Sequence, residues 1–342
     1  STDLAPLFRL PEKAMRALLD VELPTPEVTL SDGKRVKLSY TGFRRYYNCR
    51  NDQDRIRIHR RYYQNMARFQ TLIATLFHGG ISSHVIDASQ HNFASSLEMR
   101  MFDENKKASD FKTAIRIVKT HLPLFHRYLK LKGKLLGLEK MSIVDLNVMP
   151  FELDSKQYSF SEAKKLACDA VTSLGFDYHA QFKRIFNSGW LDIYPHQNKR
   201  NFGYAYDVPG VHPFVLLNYT GTFHDIYVMV HELGHAMHAW FSNRYSHFEH
   251  RMSAGMLTEA FAHLNEHFLM DLMISKSGDL KQKINFVDKA ILGICNAIFN
   301  MTRLAEFEHD LHQRVTRGDV LTASLLNGKF MTLAKKYYGS DI

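Results

Sequence analysis

The stretch that decides the reading runs Tyr227-Val-Met-Val-His231-Glu232-Leu-Gly-His235-Ala-Met-His238-Ala-Trp240. Ile226, Met229, Val230, Leu233, Met237 and Trp240 recur at helical spacing and predict a buried helix over residues 225–243. His231 and His235 lie four apart on one helical face, which lets both imidazoles reach a single Zn²⁺. Glu232 flanks the same pocket without being forced into coordination, a placement that suits a general base acting on metal-activated water. The alternative is a core helix whose two histidines are merely hydrogen-bonded, and the next helix argues against it.

A zinc hydrolase wants three protein ligands and one open position. Glu259 follows His235 by 24 residues, inside Gly255-Met-Leu-Thr-Glu-Ala-Phe-Ala-His-Leu-Asn-Glu266. This stretch reads as part of a second helix over 254–274, so the carboxylate would arrive from a packed neighbour. Glu259, His263, Glu266 and Met270 share one face by their spacing. With Glu259 as third ligand, Glu266 and His263 become candidates for orienting the histidines from behind, against the alternative of solvated positions on a helix edge. His238, one heptad from His231, is a further candidate at the pocket, with packing as the better reading. The N₂O donor set points to zinc, one ion per chain, with cobalt and manganese as the alternative occupants.

Upstream the texture is β-rich. Leu191-Asp-Ile-Tyr194, Phe202-Gly-Tyr-Ala-Tyr206 and His212-Pro-Phe-Val-Leu-Leu-Asn218 read as short strands, with Asp207-Val-Pro-Gly210 turning between the last two. Elsewhere helical periodicity dominates. Residues 27–30 and 35–40 form a hairpin around Asp32-Gly33. A long helix is expected over 52–77, stopped by Gly79-Gly80, and another over 109–136, bent near Pro123 and closed by Gly137. Residues 143–149 read as a short strand or extended connector. Ser159 and Glu162 make a capping box for a helix running to about 174. Helices are expected over 280–317 and 322–338. The fold class is therefore mainly α, with one small sheet beside the metal-binding helix. The whole of 1–342 reads as one helical region: 1–188 as a helical wall carrying the hairpin, 189–342 as sheet, metal-binding helices and C-terminal helices.

Composition excludes several classes. The 342 residues are 45% hydrophobic with 18 Gly and 9 Pro, too apolar for disorder and sufficient for a large core. No window approaches the ~20 apolar residues of a membrane span. Cys49, Cys168 and Cys295 lie far apart, which argues against a disulfide framework and for a reducing, cytoplasmic setting. A net charge of +9 invites a nucleic-acid reading. However, Arg44, Arg45, Arg50 and the run Arg55 to Arg61 wind around a helix instead of forming a stripe. A solvated or internally paired face is expected there, with no specific nucleic-acid or membrane partner. Both ends, Ser1-Thr-Asp-Leu4 and Tyr337-Tyr-Gly-Ser-Asp-Ile342, read as cut from a longer sequence.

These residues carry a resemblance. Val230 to His238 followed by the Glu259…Asn265-Glu266 helix is similar to the thimet-type zinc oligopeptidases, most of all their oligoendopeptidase F branch. Trp190-Leu-Asp-Ile-Tyr-Pro-His-Gln-Asn-Lys-Arg200 and His212 to Asp225 match the segment that precedes the zinc helix in those enzymes. Asp52-Gln-Asp-Arg55, Ser95-Ser-Leu-Glu98 and residues 158–175 fit the same template more loosely. The resemblance implies a zinc-dependent endopeptidase that hydrolyses internal bonds of short, unstructured peptides in a channel between helical lobes. It also implies that His231, His235 and Glu259 are the ligands and Glu232 the base. The β segment would pair with extended substrate, which makes Tyr204, Tyr206, His212, Phe214 and Tyr219 substrate-binding candidates.

Two departures stand out. Aromatic Phe202, Tyr204 and Tyr206 follow Lys199-Arg200 where the family is richer in small residues. The family also has a further N-terminal lobe and a Tyr- and His-rich C-terminal segment that helps stabilise the tetrahedral intermediate. A rival reading is therefore a zinc-binding but catalytically weak or silent chain that needs that segment or a second chain. An aminopeptidase is disfavoured, because no Gly-rich anionic motif stands just upstream of His231 to anchor a free amine.

Overall fold

The structure is a computed structural model that describes residues 5–152, 157–196, 199–208, 210–247 and 255–339. It divides into two units, Phe151–Ala290 and a second made of Ser1–Pro150 with Ile291–Ile342. Both are mainly helical, and among the described residues each carries one small sheet.

In the Phe151–Ala290 unit, strands Leu191–Asp192, Tyr204–Tyr206 and Phe214–Leu216 form a three-stranded sheet with Phe214–Leu216 in the middle. Leu191–Asp192 pairs with it in parallel, and Tyr204–Tyr206 antiparallel with Ala205 opposite Val215. Tyr204–Tyr206 is therefore an edge strand. Inward-facing Val215 and Leu217 join Ile226, Met229, Val230, Leu233 and Met237 in one core with Phe182, Ile185 and Leu269. Pro209 of the expected 207–210 turn lies outside the described residues. The Ser159–Glu162 capping box forms as expected, over a helix Phe160–Ala170 followed by a 3₁₀ turn Thr172–Leu174.

The other unit carries the hairpin Glu27–Thr29 and Arg35–Lys37, with Val28 opposite Val36. Its helices correct three expectations. The 52–77 helix ends instead at Ala67, in a tight turn where Phe69 N–H donates to Met66 O, and a new helix Gln70–Gln90 runs straight through Gly79-Gly80. Gly79 is there for contact: a Cβ on it would lie 3.2 Å from Pro11 of the Leu10–Ala17 helix. Residues Ile143–Asp145 form a 3₁₀ turn, not a strand, because buried Asp145 is drawn onto Arg55 at 2.6 Å. The expected 280–317 helix is interrupted by a π segment, Asn296–Asn300.

The break near Pro123 and the left-handed Gly137 cap appear as expected. The arginine run is largely consumed within the fold. Arg55 is buried and bonds Asp52, Asp145 and two carbonyls, and Arg50, Arg57 and Arg61 donate to backbone oxygens. Among the described residues, no helix is long and apolar enough to cross a membrane.

Candidate metal centre

The motif helix runs Phe223–Tyr245, and Thr222 starts it. The Thr222 hydroxyl accepts from Asp225 N–H, while the Asp225 carboxylate accepts from Thr222 N–H and from the N–H and hydroxyl of Thr220. Such a capping box is worth ~1 kcal/mol. Beyond it, Ile226, Met229, Val230, Leu233 and Met237 are completely buried, each contributing about 1.5–3 kcal/mol. That burial fixes the rotation of the helix and turns His231 and His235 towards the helix Gly255–Ser275.

The two helices meet at Gly234. A Cβ there would come within 2.7 Å of Ala262 Cα and 3.0 Å of Phe261 O, so only glycine admits this approach. Fully buried Asn265 stitches the crossing, donating to Val230 O at 3.3 Å and accepting from the Tyr178 hydroxyl at 3.0 Å.

His231 Nε2 and His235 Nε2 face each other at 3.1 Å. The Glu259 carboxylate stands opposite both, Oε2 at 3.6 Å from His231 Nε2 and Oε1 at 3.7 Å from His235 Nε2. Donors about 2.1 Å from a tetrahedral ion are about 3.4 Å apart, so these three are spaced to close on one cation. Behind His231, its Nδ1 donates to Glu266 Oε1 at 2.8 Å. Glu266 Oε2 accepts from His263 Nδ1 at 2.8 Å and from the Tyr227 hydroxyl at 2.6 Å. Burial alone would raise the Glu266 carboxyl, but these hydrogen bonds outweigh it and hold it at about 2. Burial also opposes a charge on His231, yet the Glu266 carboxylate overrides it and raises its pKa. Burial, and then the neighbouring His231, lower that of His235.

Glu232 is buried beside the pair. Burial pushes its carboxyl up to about 7, against the pull of His231 and of a hydrogen bond from the Ala205 backbone N–H. The edge strand thus runs past this carboxylate. A Cβ on Gly203 would meet Val228 at 2.9 Å and Glu232 Cγ at 3.1 Å.

The expected substrate-binding side chains are placed differently from one another. Tyr204, Tyr206 and Phe214 alternate with inward-facing Ala205 and Val215, so they stand on the sheet's outer face, where they line a cavity of about 520 Å³ with Trp190 and Arg200. His212 stacks on Trp190 with ring centroids 4.5 Å apart. Tyr219 is buried, its hydroxyl donating to Tyr158 O at 2.7 Å. His238 stacks on Phe261 at 4.6 Å. None of these side chains joins the cluster of His231, His235, Glu259, Glu266 and His263. Sequence reasoning missed Tyr227, although it stands one turn before His231 on the same face, and it missed the Ala205 N–H, which backbone pattern alone does not reveal.

Comparison with known proteins adds an independent line. The profile of peptidase family M3 matches residues 45–342. The chain is 24% identical over 325 residues to oligopeptidase PepF of Bacillus subtilis strain 168, covering 95% of this chain and 48% of that protein. It is 26% identical to group B oligopeptidase PepB of Streptococcus agalactiae, covering 97% and 55%. The crystal structure of oligoendopeptidase-F from Enterococcus faecium superposes with a TM-score of 0.70 at 22% identity, over 99% of this chain and 54% of that one. The chain thus spans about half the length of these relatives, and with the profile covering nearly all of it, it belongs to peptidase family M3.

Proposed function

We propose that this chain carries the metal centre of a zinc-dependent endopeptidase that cleaves internal bonds of short, unstructured peptides. The observation that carries the reading is the convergence of His231 Nε2, His235 Nε2 and Glu259 on one point, with Glu232 and an edge strand beside it. Family membership supports the reaction class, and the names of the relatives support peptides as substrates.

His231, His235 and Glu259 would hold the ion, which when bound supplies Lewis-acid polarisation and lowers the pKa of water in its open position towards ~7. Glu232 takes a proton from the attacking water and returns it to the departing amine. Its buried carboxyl suits both directions of transfer, since burial favours the protonated form that the second step requires. By accepting from His231 Nδ1, Glu266 would hold His231 in the tautomer whose Nε2 lone pair is available to a metal. Tyr204–Tyr206 has no strand on its outer side among the described residues, and the edge backbone groups that Glu232 does not take would offer an extended peptide a sequence-independent grip. Cys49, Cys168 and Cys295, none of them in a disulfide, support a reducing, cytoplasmic setting.

The test pairs zinc content with hydrolysis of an internally quenched, end-blocked nonapeptide, for the parent and Glu232→Gln. Near-stoichiometric zinc in both with cleavage only in the parent is the expected result. Zinc in both with cleavage in neither would leave a metal site without a working peptidase. No zinc in either would overturn the reading.

A further inference from the structure

We infer that His263 and Tyr227 are positioning residues that clamp Glu266, so that Glu266 in turn fixes the tautomer of the ligand His231. The inference deepens the metal-site reading and rests on it.

Glu266 reaches out from the Gly255–Ser275 helix with its side chain only 7% exposed. As a carboxylate it is acceptor-only, so each of its three partners must donate. His231 Nδ1 bonds Oε1 at 2.8 Å, while His263 Nδ1 and Tyr227 Oη bond Oε2 at 2.8 and 2.6 Å. A proton on His231 Nδ1 leaves its Nε2 with a lone pair, and that Nε2 is the atom facing His235 Nε2 at 3.1 Å. The carboxylate is useful to the metal only while Oε1 stays on His231.

With a single donor, a buried carboxylate is free to turn about its last bond and leave the imidazole. Two donors on Oε2 remove that freedom. They come from both helices that bear the ligands: Tyr227 stands one turn before His231, and His263 one turn after Glu259. Tyr227 and His231 reach this carboxylate from one helix, while His263 holds it from its own helix, so donors from both helices meet at one carboxylate. His263 also contacts the His231 ring edge-on, with centroids 5.4 Å apart, so simple packing is the competing account of its presence.

Isosteres separate the two accounts. The amide N–H of Asn falls where His Nδ1–H was, and that of Gln where Nε2 was. Zinc dissociation constants, measured by competition with a chromophoric chelator, would be compared for the parent, His263→Ala, His263→Asn, His263→Gln and Tyr227→Phe. Loss of a hydrogen bond made directly to a ligand weakens metal binding by ~10–100-fold, so loss of one a step further out should cost up to about 10-fold. His263→Ala should show that loss, His263→Asn should recover most of it, and His263→Gln should not. Tyr227→Phe should weaken binding in the same direction. Unchanged affinity in His263→Ala, or equal recovery by Asn and Gln, would overturn the clamp in favour of packing. Should His263→Ala not fold, the Asn and Gln pair decides alone. A parent that binds no zinc would bring down the metal reading and the clamp together. A parent that binds zinc beside variants that all match it would bring down the clamp alone.

Discussion

His84, His309 and His312 gather in one unit as His231, His235 and His263 do in the other, each group on long helices beside carboxylates. Their geometry diverges. The His84 and His312 rings stack nearly parallel, 10° apart with centroids separated by 5.6 Å, and His309 lies edge-on to Phe111. His312 Nδ1 pairs with Ser96 Oγ at 2.7 Å, while its Nε2 is 3.8 Å from an exposed Glu308. These groups line a cavity of about 460 Å³. Among the described residues, no three donors there come within 4.8 Å of one another, whereas His231, His235 and Glu259 do. Histidine abundance is thus not what makes a site. The candidate metal group has two imidazoles four apart on one helix, a carboxylate from a crossing helix, and a buried carboxylate behind.

The sharpest way to break this contrast is to delete one histidine from each group. His231→Ala or His235→Ala should weaken zinc binding by about 10³-fold, taking roughly a third of an apparent 10–16 kcal/mol as one ligand's share. His312→Ala should leave zinc affinity unchanged in the same chelator titration. Glu232→Gln should keep the zinc while lowering peptide turnover by about 10²–10⁴-fold, the span of a lost general base.

A smaller effect separates two glycines. Gly234→Ala forces a Cβ into the Ala262 backbone and should cost about 1–3 kcal/mol in thermal or denaturant unfolding. Gly80→Ala meets nothing within 4 Å in mid-helix and should stabilise by about 0.5–1 kcal/mol.

The smallest effect is on pH dependence. Burial, aided by His312, holds His84 below the ordinary 6.5, and burial, aided by Lys112, does the same for His309. Between 6.5 and those lower values the unfolded chain binds more protons than the folded one. Stability should therefore fall as pH drops from 6.5 through that window and level off below it. Replacing both residues by Gln should flatten that part of a pH series of unfolding midpoints.

Much of the geometry of the candidate metal centre is legible in the sequence because its parts are local. Helical period places His231 with His235 and Glu259 with Glu266, and a buried stripe dictates which way the first helix faces. What failed depended on distant partners. Gly79-Gly80 signals a helix stop in isolation, but Pro11 packs on Gly79 and the helix continues. Residues 143–145 look extended until Arg55 claims Asp145. The strand candidates were recognised as strands. The alternation that sends Tyr204 and Tyr206 outward and leaves Ala205 beside Glu232 depends on register, and short strands with aromatic residues on both sides of a glycine do not reveal it.

The most direct test of the centre is zinc K-edge X-ray absorption on the zinc-loaded chain. Two imidazole nitrogens and a carboxylate oxygen at about 2.0–2.2 Å are predicted, with one imidazole's scattering lost in His235→Ala. Sulfur scattering near ~2.3 Å from Cys49, Cys168 or Cys295, or a spectrum unchanged by His235→Ala, would contradict the assignment.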